Sequence, residues 1–285
     1  MSLSHIRIVL VEPAGALNVG SVARVLKNFG LQQWVLVNPQ CDPWGEEARR
    51  MAVHASDLLE RTTIVSTLSD ALVGCARVIA TTGIDRTTLN VPLEPPRQAL
   101  PWLIEAQQPV ALIFGREDRG LTRTELNYAH RLVQVPTSSD YASLNLAQAV
   151  AICCYELACQ NQADHTSRLA AVPTVNLSSI DQRLTPQITP QITPQIPPLT
   201  REATAPEALA TIDVLDAYYH QLETLLLQIG YLYPHTAAQR MAKFRRLFGR
   251  AQLSPQEVAM LRGILSQMTW ALQHRSTPSG ADKRA

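Results

Sequence analysis

Residues 18–24 read Asn-Val-Gly-Ser-Val-Ala-Arg, and this stretch decides how the N-terminal half of the chain is interpreted. It follows an apolar run at 6–11 and opens a helical pattern that stops at Gly30, after which a second apolar run begins at Trp34. In open α/β sheets, ligands bind where a strand is followed by a helix. The stretch has neither the Gly-Lys-Ser/Thr of a P-loop nor the Gly-x-Gly-x-x-Gly dinucleotide fingerprint. It presents instead the fixed positive charge of Arg24, which suits an anionic or hydroxyl-bearing partner.

The composition is that of a globular protein of 285 residues, enough for one large domain or two modest ones. Hydrophobic residues make up 46% of the chain, and the net charge of +1 gives no global field for nucleic acid, so any such site must come from local clustering. The five cysteines include no Cys-x-x-Cys pair, which favours reduced thiols over a disulfide or a zinc site. We find no signal peptide and no apolar run of the roughly 18 residues that suggest a membrane span. The sequence therefore predicts a cytoplasmic protein with no membrane partner and no metal.

Strand-like and helix-like patterns alternate over residues 1–160, which predicts one doubly wound α/β domain with a mostly parallel sheet and helices on both faces. The strand candidates are residues 6–11, 34–37, 62–65, 77–81, 110–114 and 132–135. Capping boxes mark helix starts at 67–70 and 122–125. A long helix is expected after Ser143, whose hydroxyl would cap it.

The regular alternation ends in the second half of the chain. Residues 161–205 contain three consecutive copies of Thr-Pro-Gln-Ile at 185–196, and proline at every fourth position excludes a helix. We interpret this segment as a Pro-rich linker, with a Pro-rich docking site as the less favoured alternative. Residues 206–274 return to helical spacing and predict a small helical domain, with a capping box at 254–257. Residues 275–285 are polar and predict a disordered tail.

Polar loops follow three further strand candidates, so that four such loops should meet at one edge of the sheet. Each residue in them has a simple structural explanation: the glycines could only shape turns, Arg116 and Glu117 could form a solvated pair, and Ser143 could only cap a helix. A group of this density at one sheet edge is better explained by a binding site. Its members are Arg24, Arg86, Arg116, Glu117, Ser143 and Asn145.

Three motifs in this half of the chain resemble those of the SpoU branch of the SPOUT methyltransferases. They are Asn18-x-Gly20-x3-Arg24, Phe114-Gly115-Arg116-Glu117-x2-Gly120-Leu121 and Ser143-Leu144-Asn145-Leu146. The C-terminal segments 244–251 and 261–265 resemble the extension found in family members that methylate ribose 32 of the tRNA anticodon loop. The Pro-rich repeat departs from the family pattern and lengthens the linker.

The resemblance implies a SPOUT fold with a deep trefoil knot, which general connectivity rules would not predict. It also implies S-adenosylmethionine as methyl donor, tRNA as substrate and a homodimer as the active unit, in which Arg24 of one protomer completes the site of the other. The implied donor-binding residues are Thr81, Thr82, Gly83, Gly115, Val135, Pro136, Ser143, Leu144 and Asn145.

The implied reaction is in-line transfer of a methyl group from a sulfonium to a ribose 2′-hydroxyl without a metal. The catalytic residues would be Arg24 and Ser143. A guanidinium is a poor general base because its pKa exceeds 12, so Arg24 would orient the hydroxyl and stabilise developing alkoxide charge; its transient deprotonation ranks second. Ser143 would position the hydroxyl or the methionine end of the donor. The substrate-binding residues of this domain would be Asn18, Arg24, Arg86, Arg116 and Glu117, with Glu117 fixing Arg116 or a loop.

The C-terminal half adds a local cluster of positive charge. Residues 236–256 contain five basic residues and no acidic ones. Four of them share one side of a predicted helix, and we call this set the basic stripe: Arg240, Lys243, Arg246 and Arg250. It predicts a surface for RNA phosphates, whereas the alternative is a solvated basic face. Two other functions stay open for the whole chain, a SPOUT enzyme acting on another RNA such as rRNA, and a non-catalytic RNA-binding module.

Overall fold

The structure is a computed structural model and describes residues 3–83, 92–138, 140, 143–170 and 208–275. Seven strands form one sheet: β1 (Ile6–Val11), β2 (Gln33–Val37), β3 (Thr63–Val65), β4 (Arg77–Thr81), β5 (Leu93–Glu94), β6 (Val110–Phe114) and β7 (Arg131–Val133). Their order is β3-β2-β1-β6-β4-β7-β5, and each neighbouring pair is parallel. The predicted parallel α/β sheet is therefore confirmed.

Eleven α-helices of the described residues surround or follow the sheet. They are α1 (Ala16–Asn28), α2 (Glu46–Ala52), α3 (Ser56–Glu60), α4 (Leu68–Ala71), α5 (Pro96–Ala99), α6 (Pro101–Ile104), α7 (Arg123–Leu126), α8 (Leu146–Ala170), α9 (Ile212–Gln228), α10 (Pro234–Ala251) and α11 (Pro255–Arg275). The capping box predicted at Thr122 is complete, with Glu125 bonded back to the Thr122 N–H. The box at Ser254 and Glu257 also forms in both directions.

Apolar side chains cover both faces of the sheet. Along β1, Ile6, Ile8 and Leu10 pack towards α1 and α8, while Val9 and Val11 belong to the core on the opposite face. Since successive side chains of a strand point to opposite faces, a continuous apolar run is needed to bury both. The two cores fix the strands, and thereby the loops that leave their carboxyl ends.

Gly20, in the middle of the first motif, allows α1 to lie against α2. A Cβ atom at this position would stand 2.1 Å from the Ala48 carbonyl oxygen of α2 and 2.9 Å from the Met51 Cβ. Real Cβ atoms do not approach this closely, so the position requires glycine for helix packing. The motif therefore contains a packing residue as well as residues that face the sheet edge.

Several expectations fall on parts of the chain outside the described residues. The Pro-rich repeat lies in 171–207, and the predicted tail lies almost entirely in 276–285. The trefoil knot stays a prediction, because loop residues at 84–91 and around 139–142 belong wholly or partly to this undescribed set. Helix α8 continues to Ala170, past the predicted domain boundary at residue 160.

The C-terminal helices are anchored at the amino edge of the sheet. The Ile212 N–H at the start of α9 donates to the Cys75 carbonyl, just before β4, over 2.9 Å. The Gln108 side chain, just before β6, exchanges two hydrogen bonds of 3.0 Å with the Leu209 backbone. Ile212 is itself buried in the core of the α/β domain. The helices thus meet the end of the sheet opposite to the one that carries the motif loops.

A charged contact strengthens this anchor. Asp216 on α9 accepts a hydrogen bond of 2.6 Å from the Ser69 hydroxyl and also pairs with Arg245 on α10. The Arg245 guanidinium lies over the rings of Tyr219 and Tyr128, at 4.5 Å and 5.3 Å from their centroids. Because Ser69 and Tyr128 belong to the α/β domain, Arg245 joins the two parts of the chain.

We expect Arg245→Met to lower the free energy of unfolding by roughly 1–3 kcal/mol, because it leaves the partly buried Asp216 without its cation. Urea denaturation measures the change. Lys243→Met, on the exposed side of the same helix, is the control and should stay within about 0.5 kcal/mol of the parent chain. Equal free energies of unfolding for the two variants would show that Arg245 does not stabilise the contact between the C-terminal helices and the α/β domain.

Candidate active site

A cleft opens at the carboxyl ends of β4, β6 and β7, where the polar loops were predicted to meet. Its empty volume is about 800 Å³, including the part open to solvent. Seven of the predicted donor-binding residues line it: Thr81, Thr82, Gly83, Gly115, Val135, Ser143 and Leu144. Arg116 and Glu117 line it as well, whereas Pro136 and Asn145 are not among the lining residues. Arg86 lies outside the described residues.

Other lining residues were not among the predicted site residues, although Phe114, Gly120 and Leu146 belong to the quoted motifs. Phe114, Val133, Leu146 and Ala149 supply apolar wall, and Asp118, Arg119 and Gly120 complete the loop after β6. Val133 and Ala149 gave no separate signal in the sequence, because strand and helix cores use the same residue types. The cleft therefore combines an apolar wall with a charged rim, which is the usual character of a small-molecule site.

Glu117 fixes the loop between β1 and α1. Its carboxylate accepts hydrogen bonds from the N–H groups of Ala14 and Gly15, at 2.9 Å and 3.1 Å, and from the Asn18 side-chain amide at 2.8 Å. Although burial opposes ionisation, these hydrogen bonds hold the Glu117 pKa below its usual range. A carboxylate at the start of α1 also suits the positive end of the helix dipole. Of the two roles predicted for Glu117, the structure displays the fixing of a loop.

Asn145 links the third motif to the first and caps α8. Its side-chain amide donates to the Asn18 side-chain oxygen over 2.9 Å. Its own side-chain oxygen accepts from the N–H groups of Ala147 and Gln148, at 2.9 Å and 3.4 Å. The prediction that Ser143 caps this helix was therefore wrong, because the helix begins two residues later than the motif's serine would require. Ser143 is exposed and lines the cleft.

These contacts form a chain through all three motifs: Glu117 holds Asn18, and Asn18 holds Asn145. We call these three hydrogen-bonded side chains the motif relay. Glu117 and Asn145 come from two different loops and Asn18 from the first turn of α1, so the relay fixes the relative positions of these segments around the cleft. The hydrogen bond to the Glu117 carboxylate is charge-assisted and therefore stronger than the neutral bond between Asn145 and Asn18.

Gly115 is required by the loop itself. A Cβ at this position would stand 2.3 Å from the Gly120 carbonyl carbon and the Leu121 nitrogen. The backbone here folds tightly on itself, with the Gly120 N–H donating to the Arg116 carbonyl over 2.8 Å. The glycine therefore serves the packing of the loop that forms one cleft wall.

Arginines hold the rest of this loop. Arg116 pairs with Asp118 across 3.0 Å at the cleft. Arg119 pairs with Glu12 at the end of β1, at 2.6 Å, and with Glu125 at 3.3 Å. The hydrogen bond from Arg119 is the main reason that the pKa of Glu12 is lowered. Through Arg119, the loop after β6 is thus tied to the end of β1 and to α7.

Arg24 lies on the exposed side of α1, away from the buried residues of that helix. It is not among the residues that line the cleft of its own protomer. Leu17, which is 44% exposed, lies two turns earlier on the same side of the helix. The cleft and the motif relay of one chain therefore do not include Arg24.

The basic stripe lies on α10, as predicted. Arg240, Lys243 and Arg250 are exposed, and Arg246 is half-buried. Arg240 donates to the Tyr231 carbonyl over 3.1 Å and lies 5.7 Å from the centroid of that ring. The stripe stands on the same helix as the anchoring Arg245, so its place relative to the sheet is defined.

Comparison with known proteins identifies the family. The model of the SpoU rRNA Methylase family matches residues 5–155, and that of the C-terminal domain of tRNA methyltransferase TrmJ matches residues 213–278. The chain belongs to the SpoU methylase family. It is 39% identical over 267 residues to the tRNA (cytidine/uridine-2′-O-)-methyltransferase TrmJ of Pectobacterium atrosepticum, covering 93% of this chain and 97% of the relative. The corresponding TrmJ of Pseudomonas aeruginosa, named for cytidine, uridine and adenosine, is 35% identical, covering 93% and 94%.

The fold of this SpoU methylase also matches solved structures. The crystal structure of TrmJ from Z. mobilis ZM4 has a TM-score of 0.72 and 26% identity, covering 92% of this chain and 98% of that one. A probable methylase family protein from Haemophilus influenzae Rd KW20 has a TM-score of 0.55 and 27% identity, covering 96% and 100%. These matches confirm the predicted parallel α/β fold with a C-terminal helical region, whereas the knot stays a prediction.

Neither a membrane-spanning helix nor a cluster of metal ligands occurs in the described part of this SpoU methylase. Within that part, every helix lacks the length and apolar character needed to cross a bilayer. The same residues contain no cluster of three or more histidine, cysteine or acidic side chains that could hold a metal ion.

Replacing Glu117 by glutamine is expected to weaken the motif relay of this SpoU methylase. An amide NH2 would face donors where the carboxylate now accepts, so the free energy of unfolding should fall by about 1–3 kcal/mol. This decrease in the free energy of unfolding should have its full size above the ordinary glutamate pKa of about 4.3. It should become smaller as the pH falls through the lower pKa of Glu117 in the folded state. Urea denaturation at several pH values measures it. Glu60→Gln, at an exposed ion pair, is the control, and a pH-independent difference would contradict the assignment.

Proposed function

We propose that the protein transfers a methyl group from S-adenosylmethionine to the 2′-hydroxyl of ribose 32 in the anticodon loop of tRNA. The observation that carries the proposal is the motif relay, which joins the three SpoU motifs around one cleft. Membership of the SpoU family and similarity over nearly the whole length of tRNA 2′-O-methyltransferases support the reaction and the substrate class.

The residues of the cleft fit the proposed donor. Phe114, Val133 and Leu144 offer apolar contact for an adenine ring, and Arg116 with Asp118 offers opposite charges for the amino-acid end. When bound, S-adenosylmethionine supplies an electrophilic methyl group on its sulfonium. The donor-binding set predicted in the sequence, including Pro136 and Asn145 beside the cleft, remains part of the proposal.

Arg24 and Ser143 act on the acceptor in this proposal. Arg24 orients the ribose hydroxyl and stabilises the negative charge that develops on its oxygen. Ser143 lines the cleft and positions the hydroxyl or the methionine end of the donor. Asn18 and Glu117 keep the loop in place, and Arg86 and Arg116 are proposed to contact RNA.

The proposed active unit is a homodimer formed through the exposed side of α1. Because Arg24 is not among the residues lining the cleft of its own protomer, a partner that supplies it would complete the site. Leu17 on α1 and Tyr155 on α8, which are 44% and 55% exposed, provide apolar surface, and Tyr155 packs edge-on against Phe29 at the end of α1. Light scattering of the full chain should give the mass of two protomers. A monomer that methylates tRNA would overturn the shared site.

The remaining divisions of the chain belong to the same proposal. Residues 1–160 form the methyltransferase domain, 161–205 the linker, and 206–274 an RNA-binding extension whose basic stripe contacts phosphates, followed by the tail at 275–285. We propose that the enzyme works in the cytoplasm, where tRNA is available to it.

The test uses the purified full chain, radiolabelled S-adenosylmethionine and transcribed tRNA. A tRNA with a 2′-deoxyribose at position 32 lacks the acceptor oxygen and should incorporate no label, whereas the same change at position 34 should leave incorporation intact. Labelling of the 32-deoxy tRNA would overturn the position. Labelling of rRNA in place of tRNA would favour the alternative substrate, and donor binding without transfer to either RNA would favour a binding module.

A further inference from the structure

An open groove runs between α9 and α11 on the outer side of the C-terminal helices. Its empty volume is about 1,410 Å³, including the part open to solvent. Gln221 and Thr224 line it from α9, and Arg262, Ser266 and Gln273 line it from α11. None of its lining residues carries a carboxylate, so the groove combines amides and hydroxyls with one fixed positive charge. We call it the α9–α11 groove, and it is separate from the basic stripe on α10.

Polar contacts hold the two helices together at this groove. The Gln221 amide donates to the Ser266 hydroxyl over 3.0 Å and to the Arg262 carbonyl over 3.3 Å. The Arg262 Nε donates back to the Gln221 side-chain oxygen over 3.3 Å. Small residues, Ala259 and Gly263, lie along the α11 side and leave the groove open. Amide and hydroxyl groups can both donate and accept, as the edges of nucleobases require.

An ordered aromatic side chain stands at one end of the groove. Trp270 lines the groove and is 58% exposed. It stacks on His274 with ring centroids 4.3 Å apart and an interplanar angle of 25°. The His274 ring nitrogen Nδ1 lies 2.8 Å from the Trp270 carbonyl oxygen, which fixes the imidazole against the indole. Exposed rings that are held in place offer stacking surfaces for unpaired bases.

We propose that the α9–α11 groove binds an unpaired nucleotide of the RNA, with its base stacked on Trp270 and its edge bonded to the groove amides. Arg262 contributes the positive charge for the adjoining phosphate. The proposal rests on the proposed function in one respect, that RNA is the substrate. A base-paired strand does not fit, because its bases are already stacked and their edges are occupied. A protein helix fits less well, because Trp270 and the deeply buried Leu225 are the only large apolar residues in the lining.

The test compares the affinity of the full chain for a fluorescein-labelled 12-nucleotide single-stranded RNA and for a 12-base-pair RNA duplex. Trp270→Ala should weaken binding of the single strand by roughly 5- to 100-fold and leave duplex binding within about twofold. The salt dependence should not change, because stacking displaces no counterions. Trp270→Phe should retain most of the affinity. Met268→Ala, which removes a 52% exposed side chain of the same helix outside the groove lining, should behave as the parent chain.

Each outcome decides the proposal. Unchanged single-strand affinity in Trp270→Ala would overturn the proposal. This is also the result expected if the groove bound a protein helix. An equal loss on single strand and duplex would also overturn it, because the side chain would then support the fold or phosphate contacts. Failure of the proposed function gives a different result. If the parent chain transfers no methyl group to tRNA but binds single strands through Trp270, the proposed function is wrong and the proposal for the groove holds.

Discussion

Arg24→Ala is expected to reduce methyl transfer to tRNA by at least roughly 100-fold, the usual cost of removing one preorganised charge or donor from a developing oxyanion. Donor affinity should stay within a few fold, because Arg24 lies on the exposed side of α1 and does not line the donor cleft of its own chain. Single-turnover transfer of labelled methyl groups measures the first quantity, and calorimetry with S-adenosylmethionine measures the second.

Two controls sharpen this result. Arg61→Ala removes an exposed arginine just before the edge strand β3, far along the sheet from the cleft, and should retain the parent rate. Arg24→Lys keeps the charge but loses the guanidinium fork, so its rate should lie between those of the parent and the alanine variant. A variant without Arg24 that keeps most of its rate would show that the catalytic assignment is wrong.

The same arginine provides a test of the shared site. Arg24→Ala chains are mixed with Leu144→Glu chains, in which a charge is placed in the cleft lining. Neither homodimer should be active. In a mixed dimer, the intact cleft of the first chain would receive Arg24 from the second, so activity should return. No recovery in a verified mixed dimer would contradict exchange of Arg24 between protomers.

The strands of the sheet could be predicted because their burial demands continuous apolar runs. The run at 6–11 matches β1 in full, since its residues fill cores on both faces of the sheet. The edge strand Leu93–Glu94 was not predicted, because two residues are too short for any periodicity. The last strand was placed about one residue late and extended into the loop, at 132–135 in place of Arg131–Val133. Such ends depend on pairing with neighbours, which the local pattern does not contain.

The cleft was predictable to the extent that it consists of loops following strands. Gly115 and Ser143 were found in this way, because loops at the carboxyl ends of parallel strands share one edge. The cap of α8 was not found, because serine and asparagine are both good caps and only the partner Asn18 distinguishes them. Arg119 was missed for a similar reason, since its partner Glu12 lies 107 residues away in the chain.

The glycines illustrate the same limit. Both Gly20 and Gly115 were noticed in motifs expected at a ligand site, yet each meets a backbone segment too closely for any side chain. Their requirement comes from helix packing and from a tight loop. In both cases the packing maintains the geometry of the site, so the motif glycine identifies a functional region through a structural need.

Neutralising the basic stripe is expected to weaken tRNA binding broadly and to lower its salt dependence. Counterions released by phosphate contacts set the slope of log affinity against log salt, at about one unit per contact. If two to four of Arg240, Lys243, Arg246 and Arg250 touch phosphate, the slope of the fourfold alanine variant should fall by roughly 2–4. Donor affinity should not change, because the cleft lies at the opposite edge of the sheet from the anchor of these helices. Titration of tRNA at several salt concentrations measures the slopes.

The structure assigns unequal parts to the four residues. Arg240 already donates to the Tyr231 carbonyl, and Arg246 is half-buried and donates to a carbonyl of its own helix, whereas Lys243 and Arg250 are exposed. A variant that changes only Lys243 and Arg250 to alanine should therefore account for most of the change, roughly two units of slope. Changing Arg61 and Arg97, two exposed arginines outside the C-terminal helices, removes the same charge and should leave the slope unaltered. If this control lowers the slope as much as the stripe variant, the effect comes from net charge and the stripe is only a solvated face.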